Sequence, residues 1–88
     1  MTEDIPEVKI GNKESRFYGA KIAEFESDTI RLMARGRKIS ILFDAIENFK
    51  TISKKEVDVL SIKCGTVVVD ADDRVRRITD LEVVVKVV

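Results

Sequence analysis

The chain has no histidine and a single cysteine, Cys64. The side chains that most often supply a general base or a metal ligand are therefore missing or nearly so. Cys64 has no partner for an internal disulfide and no imidazole to deprotonate it, so we expect a small core residue in a strand, the usual fate of an unpaired cysteine. Nucleophile motifs, a phosphate-loop pattern and Cys/His metal spacing are missing as well. Neither enzymatic activity, nor a cofactor, nor a metal is expected, and adjacent Asp72 and Asp73 read as a solvated turn. No apolar run approaches the roughly 20 residues of a membrane-spanning helix. The opening Met1-Thr2-Glu3-Asp4-Ile5-Pro6-Glu7 is acidic, without the basic start and apolar stretch of a secretory signal. The expectation is a soluble, cytoplasmic protein with no membrane partner. A charge excess of one sign is lacking too: 16 Lys and Arg balance 16 Asp and Glu, whereas dedicated nucleic-acid binders usually carry a basic excess. Aromatic residues make up only 6%. Phe17, Tyr18, Phe25, Phe43 and Phe49 fall in helical patterns that favour core use over base stacking.

What the chain does have is uneven placement of its charge. Between Thr29 and Ile39 stand Arg31, Arg35, Arg37 and Lys38 with no acid, while acids gather at the N-terminus, in Glu24 to Asp28 and in Asp70 to Asp73. The stretch Ala34-Arg35-Gly36-Arg37-Lys38-Ile39-Ser40 puts cations and a flexible glycine where a strand hands over to a helix. Arginine forks match phosphate oxygens, glycine permits close backbone approach, and a helix N-terminus adds unpaired N–H groups. Ion pairing at a solvated strand end is the competing explanation of the same cations.

The 88 residues suit one domain, 1–88, whose small core would gain from a partner subunit. Val8-Lys9-Ile10 reads as a short strand meeting a turn at Gly11-Asn12. Ser15 is a candidate N-cap for a helix carrying Tyr18, Ile22 and Phe25 on one face and weakened by Gly19. Ile30, Leu32 and Ala34 alternate in a second strand, so the unit is a crossover between parallel neighbours. Ile39, Leu42, Phe43, Ile46 and Phe49 form a broad helical stripe, widened by Ile41 and Ala45. It is either wholly buried in one core or shared between the sheet and a twin subunit. Thr51 to Glu56 reads as a polar connection. The last third is β: Val57 and Val59 share one phase and Ile62 and Cys64 the other, which requires a bulge near Val59 or Leu60. Gly65 suggests a further irregularity. Asp70 to Asp73 reads as a turn before the final strand from Arg74 to Lys86.

Ile10-Gly11-Asn12-Lys13, Ala34 to Ser40, Ile62-Lys63-Cys64-Gly65 and Arg77-Ile78-Thr79-Asp80-Leu81-Glu82-Val83, in that order, resemble the Alba family. These are small dimeric archaeal proteins that bind DNA and RNA, with relatives among the protein subunits of eukaryotic RNase P. The resemblance implies an α+β fold: a two-layer βαβαββ arrangement in which a four-stranded mixed sheet carries two helices on one face. That fold is similar to the C-terminal domain of bacterial translation initiation factor three. It further implies that Lys13 and the arginines flanking Gly36, Arg35 and Arg37, lie against the nucleic-acid backbone, and that the hairpin spanning Asp70 to Arg77 reaches along the minor groove. Asn12 replaces the family's first loop lysine and Glu14 its proline, which leaves a family-type acetylation switch without its residue. The segment between Gly11 and Ala34 is about three residues shorter than usual, where indels are tolerated. The hairpin sets Asp70, Asp72 and Asp73 beside Arg74, Arg76 and Arg77, and both departures should weaken duplex binding.

The resulting expectation is a nucleic-acid-binding protein, chromatin- or RNA-associated and nucleoid-localised, that contacts the DNA or RNA backbone with low sequence specificity. Its contact residues would be Lys13, Arg16, Arg35, Gly36, Arg37, Lys38, Arg74 and Arg76. For Arg74 and Arg76, which share one strand face, cross-strand pairing with the nearby aspartates is the competing reading. The expected assembly is a homodimer, or a heterodimer with a paralogue, through Ile39, Leu42, Phe43 and Ile46. The alternative is a protein-interaction or dimerisation module whose acids have cancelled its affinity for nucleic acid.

Overall fold

Alternating and helical apolar patterns resolve into six elements. In the computed structural model, which describes residues 5–71 and 74–88, β1 spans Glu7–Lys9, α1 Ser15–Glu24, β2 Thr29–Arg35, α2 Lys38–Ser53, β3 Val57–Ala71 and β4 Arg74–Val87. The strands form one sheet in the order β1-β2-β4-β3. β1 runs parallel to β2, and β4 is antiparallel to both β2 and β3. The βαβ crossover and the α+β class follow the sequence pattern. Val8, Ile30, Leu32, Ala34, Leu81, Val83 and Val85 point to one side of the sheet and are buried there with Tyr18, Ile22, Leu42, Ala45, Ile46 and Phe49 of the helices. The strand residues in between, such as Arg31, Met33, Arg35 and Glu82, form an open face. No helix among the described residues is long and apolar enough to cross a membrane.

The helices are held close by a residue that the sequence presents as a weakness. A Cβ on Gly19 would stand 2.9 Å from Asn48 Cβ and 3.1 Å from the Ala45 carbonyl oxygen. The glycine thus gives up helix propensity for a close α1–α2 crossing. Ser15 is not the N-cap: Glu14 holds that position without a side-chain capping bond. Ser15 Oγ accepts a hydrogen bond from Asn48 Nδ2 at 2.9 Å and ties the two helices together.

Further expectations are corrected. α2 runs on through Thr51, Ile52 and Ser53, and the Thr51 and Ser53 hydroxyls are accommodated within the helix by donating back to the carbonyls of Glu47 and Phe49. It stops where Lys54 turns left-handed, at φ 60°. The first strand lies one residue early, at Glu7–Lys9, although Ile10 N–H still donates to the Met33 carbonyl at 2.8 Å. Gly65 makes no irregularity and pairs in register with Asp80, whereas the expected bulge is there, with the register shifting between Val59 and Ser61 around Leu60. Cys64 lies in a strand as expected but is exposed. The helices cover β1, β2 and β4 and leave β3 outside their shelter, so Val59, Leu60, Ile62 and Val68 are exposed as well. Within the expected turn, Asp70 and Ala71 still belong to β3; Asp72 and Asp73 lie outside the described residues.

Candidate nucleic-acid interface

β2 ends at Arg35 and α2 begins at Lys38, so Gly36 and Arg37 alone turn the chain. Gly36 has φ +56°, a left-handed conformation that costs other residues about 1–2 kcal/mol. Its N–H donates to the Thr79 carbonyl at 2.9 Å, and its own carbonyl accepts from Ile39 N–H at 3.2 Å. Ser40 Oγ donates to the Arg37 carbonyl at 3.2 Å. The corner is thereby anchored to β4 on one side and to α2 on the other. Arg35 and Arg37 are exposed and Lys38 is half-buried.

The loop after β1 leaves the same end of the sheet, because β1 and β2 are parallel. Tyr18 holds it in place: its hydroxyl accepts from Gly11 N–H at 2.7 Å and from Lys13 N–H at 3.3 Å. The sequence pattern marks Tyr18 only as a core residue, and the buried ring does serve the core while its hydroxyl organises the loop. Lys13 Nζ sits 4.7 Å above the Phe17 ring, a contact that positions the ammonium while leaving it available to an anion. Tyr18→Phe should lower stability by about 1–2 kcal/mol and speed amide exchange at Gly11 and Lys13. Urea unfolding and hydrogen exchange measure the two effects.

The cations do not all stay available. Arg31 is sandwiched, its Nη1 at 2.8 Å from Glu7 Oε1 and its Nε at 2.6 Å from Glu82 Oε1. The Nε–H is not directed at an acceptor, so the Glu82 contact is ionic and not a hydrogen bond. Arg16 Nε pairs with Glu14 at 2.9 Å, both side chains being largely exposed, a contact of little energetic weight. Arg35 Nε lies 3.7 Å from Asp80 Oδ1, beyond hydrogen-bonding distance. Arg37 and Lys38 have no ion-pair partner among the described residues. Nor do the described residues contain a cluster of three or more potential metal ligands.

Two grooves gather these side chains. Lys13 and Arg16 line one with Ile41 and Asp44; Arg35 and Lys38 line another with Lys9, Met33 and Asp80. Arg74 and Arg76 stand apart. Pairing of β2 with β4 ends at Arg35 and Asp80, while β3 and β4 stay paired out to Ala71 and Arg74. The hairpin therefore projects past the corner by about 20 Å at strand rise, in a molecule of 46 × 33 × 17 Å. Strand alternation puts Arg74 and Arg76 on the open face with Arg35 and Asp80.

No family model matches the sequence, and no curated protein sequence matches it. Among solved structures, Alba from Thermoplasma volcanium superposes with a TM-score of 0.75 at 20% sequence identity, over 91% of this chain and 98% of that one. The chain has the Alba fold. At that identity it is the architecture that is shared, and the side chains have to be judged one by one.

On this Alba fold, Asp80 is the residue the sequence pattern leaves unmarked. It stands beside Arg35 only because β4 inserts between β2 and β3, an order that strand alternation alone does not reveal. The same insertion brings Glu82 to Arg31. Lys9 is also missed, since a lone lysine in a short strand carries no signal, yet it shares the cleft of Arg35 and Lys38.

Proposed function

We propose that the chain binds the backbone of DNA or RNA with low sequence specificity and does so as a two-fold homodimer. One observation carries this reading: a glycine-turned corner sets Arg35, Arg37 and Lys38 at the sheet end that also bears the Lys13 loop, with the β3–β4 hairpin projecting beyond. Lys13, Arg35, Arg37 and Lys38 of each subunit would meet phosphates across a central saddle, with Gly36 letting the backbone approach. Arg74 and Arg76 would follow the strand along the arm, and Arg16 adds a weaker, partly neutralised charge. Phosphate contacts fix position and read no sequence. A cytoplasmic, nucleoid- or RNA-associated binding role accords with this reading.

The dimer reading rests on apolar surface that one subunit leaves uncovered. Ile39 and Phe43 lie on the flank of α2 turned away from α1, and Phe43 is 42% exposed. Beyond them, Val59 and Ile62 of β3 point to the helix side of the sheet at 50% and 53% exposure. A second copy presenting the same surface would bury both sets at once, as two-fold symmetry demands, and a paralogue with a similar face would serve equally in a heterodimer. Leu42 is 0% exposed and spends its surface on its own core, and Ile46 is nearly as buried. The contact surface is therefore Ile39 and Phe43 joined by Val59 and Ile62.

Fluorescence-anisotropy titration with several unrelated duplex sequences tests the mode of binding. Affinities should agree within about threefold, as backbone contact predicts. One sequence favoured by more than about 100-fold would mean base readout and defeat the proposal.

A further inference from the structure

Arg35, Asp80 and Gly65 form a row across the open face of the sheet, on β2, β4 and β3 respectively. The row is built on paired strands, so the backbone positions of its three residues are set before any ligand arrives. A carboxylate next to a phosphate-seeking arginine repels the phosphate, and in a site made only to attract anions it is misplaced. Yet it does not satisfy the arginine: at 3.7 Å, with the Arg35 and Asp80 side chains 61% and 44% exposed, both keep unused hydrogen-bonding capacity. On one side of the row lies a cleft of about 510 Å³ with Met33, Lys9 and Lys38 among its walls. On the other, Gly65 presents no side chain, and a Cβ built there would meet nothing within 4 Å. Asp80 is thus open on its Gly65 side.

Building on the nucleic-acid reading above, we propose that Asp80 makes this site prefer RNA to DNA. In RNA the carbon bearing the 2′-hydroxyl is next to the one bearing the 3′-phosphate, so one nucleotide offers a donor to Asp80 and an anion to Arg35 side by side. The hydroxyl donates to the carboxylate, a charge-assisted bond that offsets the repulsion. DNA brings the phosphate without the hydroxyl and meets the repulsion alone.

The test compares one duplex sequence as RNA, as 2′-fluoro RNA, which keeps the A-form but loses the donor, and as DNA. Each is titrated against the wild-type chain, Asp80→Ala and Asp80→Asn. Wild type should bind RNA about fivefold more tightly than either of the other two, the worth of one such bond. Asp80→Ala should raise affinity for DNA and 2′-fluoro RNA and bring all three ligands within about twofold of one another. Asp80→Asn, which keeps an acceptor oxygen, should hold part of the preference. Equal wild-type affinity for RNA and 2′-fluoro RNA would overturn the inference, as would an Asp80→Ala gain that is the same for all three. Either result leaves backbone binding intact, whereas failure of wild type to bind any of the three overturns both readings. Unfolding midpoints of the variants should match wild type, because the Asp80 side chain is nearly half exposed and its ion pair is long.

Discussion

Arg35→Ala combined with Arg37→Ala should weaken binding of duplex DNA and structured RNA by about 100-fold, nearly equally for every sequence. The two side chains flank the one left-handed glycine, and in a two-fold assembly the double variant removes four cations from the saddle. Folding should survive, since both are exposed and, among the described residues, the ion pair lost is that of Arg35 with Asp80, which is long and solvated. An unchanged urea midpoint would separate the binding loss from a structural one. If affinity falls for one sequence and not for others, the arginines read base edges; if it does not fall at all, the corner is a solvated strand end and the protein-interaction reading takes its place.

Ile62→Asp should halve the solution mass measured by light scattering at micromolar concentration, from dimer to monomer. Ile62 is half-exposed in the single chain, so an aspartate there costs the monomer little. In the dimer it would place an unpaired carboxylate in an apolar contact, a penalty of several kcal/mol. Nucleic-acid affinity should fall with the dimer, because the two half-saddles then bind separately and lose the gain of a linked second contact. A wild-type chain that is already monomeric, or a variant that stays dimeric, would remove β3 from the interface.

Element order and the buried face of β2 could be read directly, because Ile30, Leu32 and Ala34 alternate without a break and the α2 stripe keeps its period. The bulge at Leu60 was legible for the same reason, since an odd residue between two alternating runs has to go somewhere. Cys64 misled because alternation says which residues share a face and not whether that face is covered, and here the helices stop short of β3. Gly19 misled because propensity is a property of the isolated helix, while the close crossing of α1 over α2 is a property of the pair. At the interface, the Arg35-Gly36-Arg37 corner was visible as a local motif. Its neighbours Asp80 and Lys9, and the neutralisation of Arg31 by Glu7 and Glu82, depend on which strands become adjacent, and short-range pattern does not encode that.

The most direct measurement of backbone binding is affinity for duplex DNA across a series of salt concentrations. Each phosphate neutralised should contribute a slope of about −0.9 to the plot of log affinity against log salt. Lys13, Arg35, Arg37 and Lys38 from two subunits therefore predict a steep straight line, and the Arg35/Arg37 double variant a line shallower by about 3 to 4 units. An affinity that does not change with salt would contradict the account.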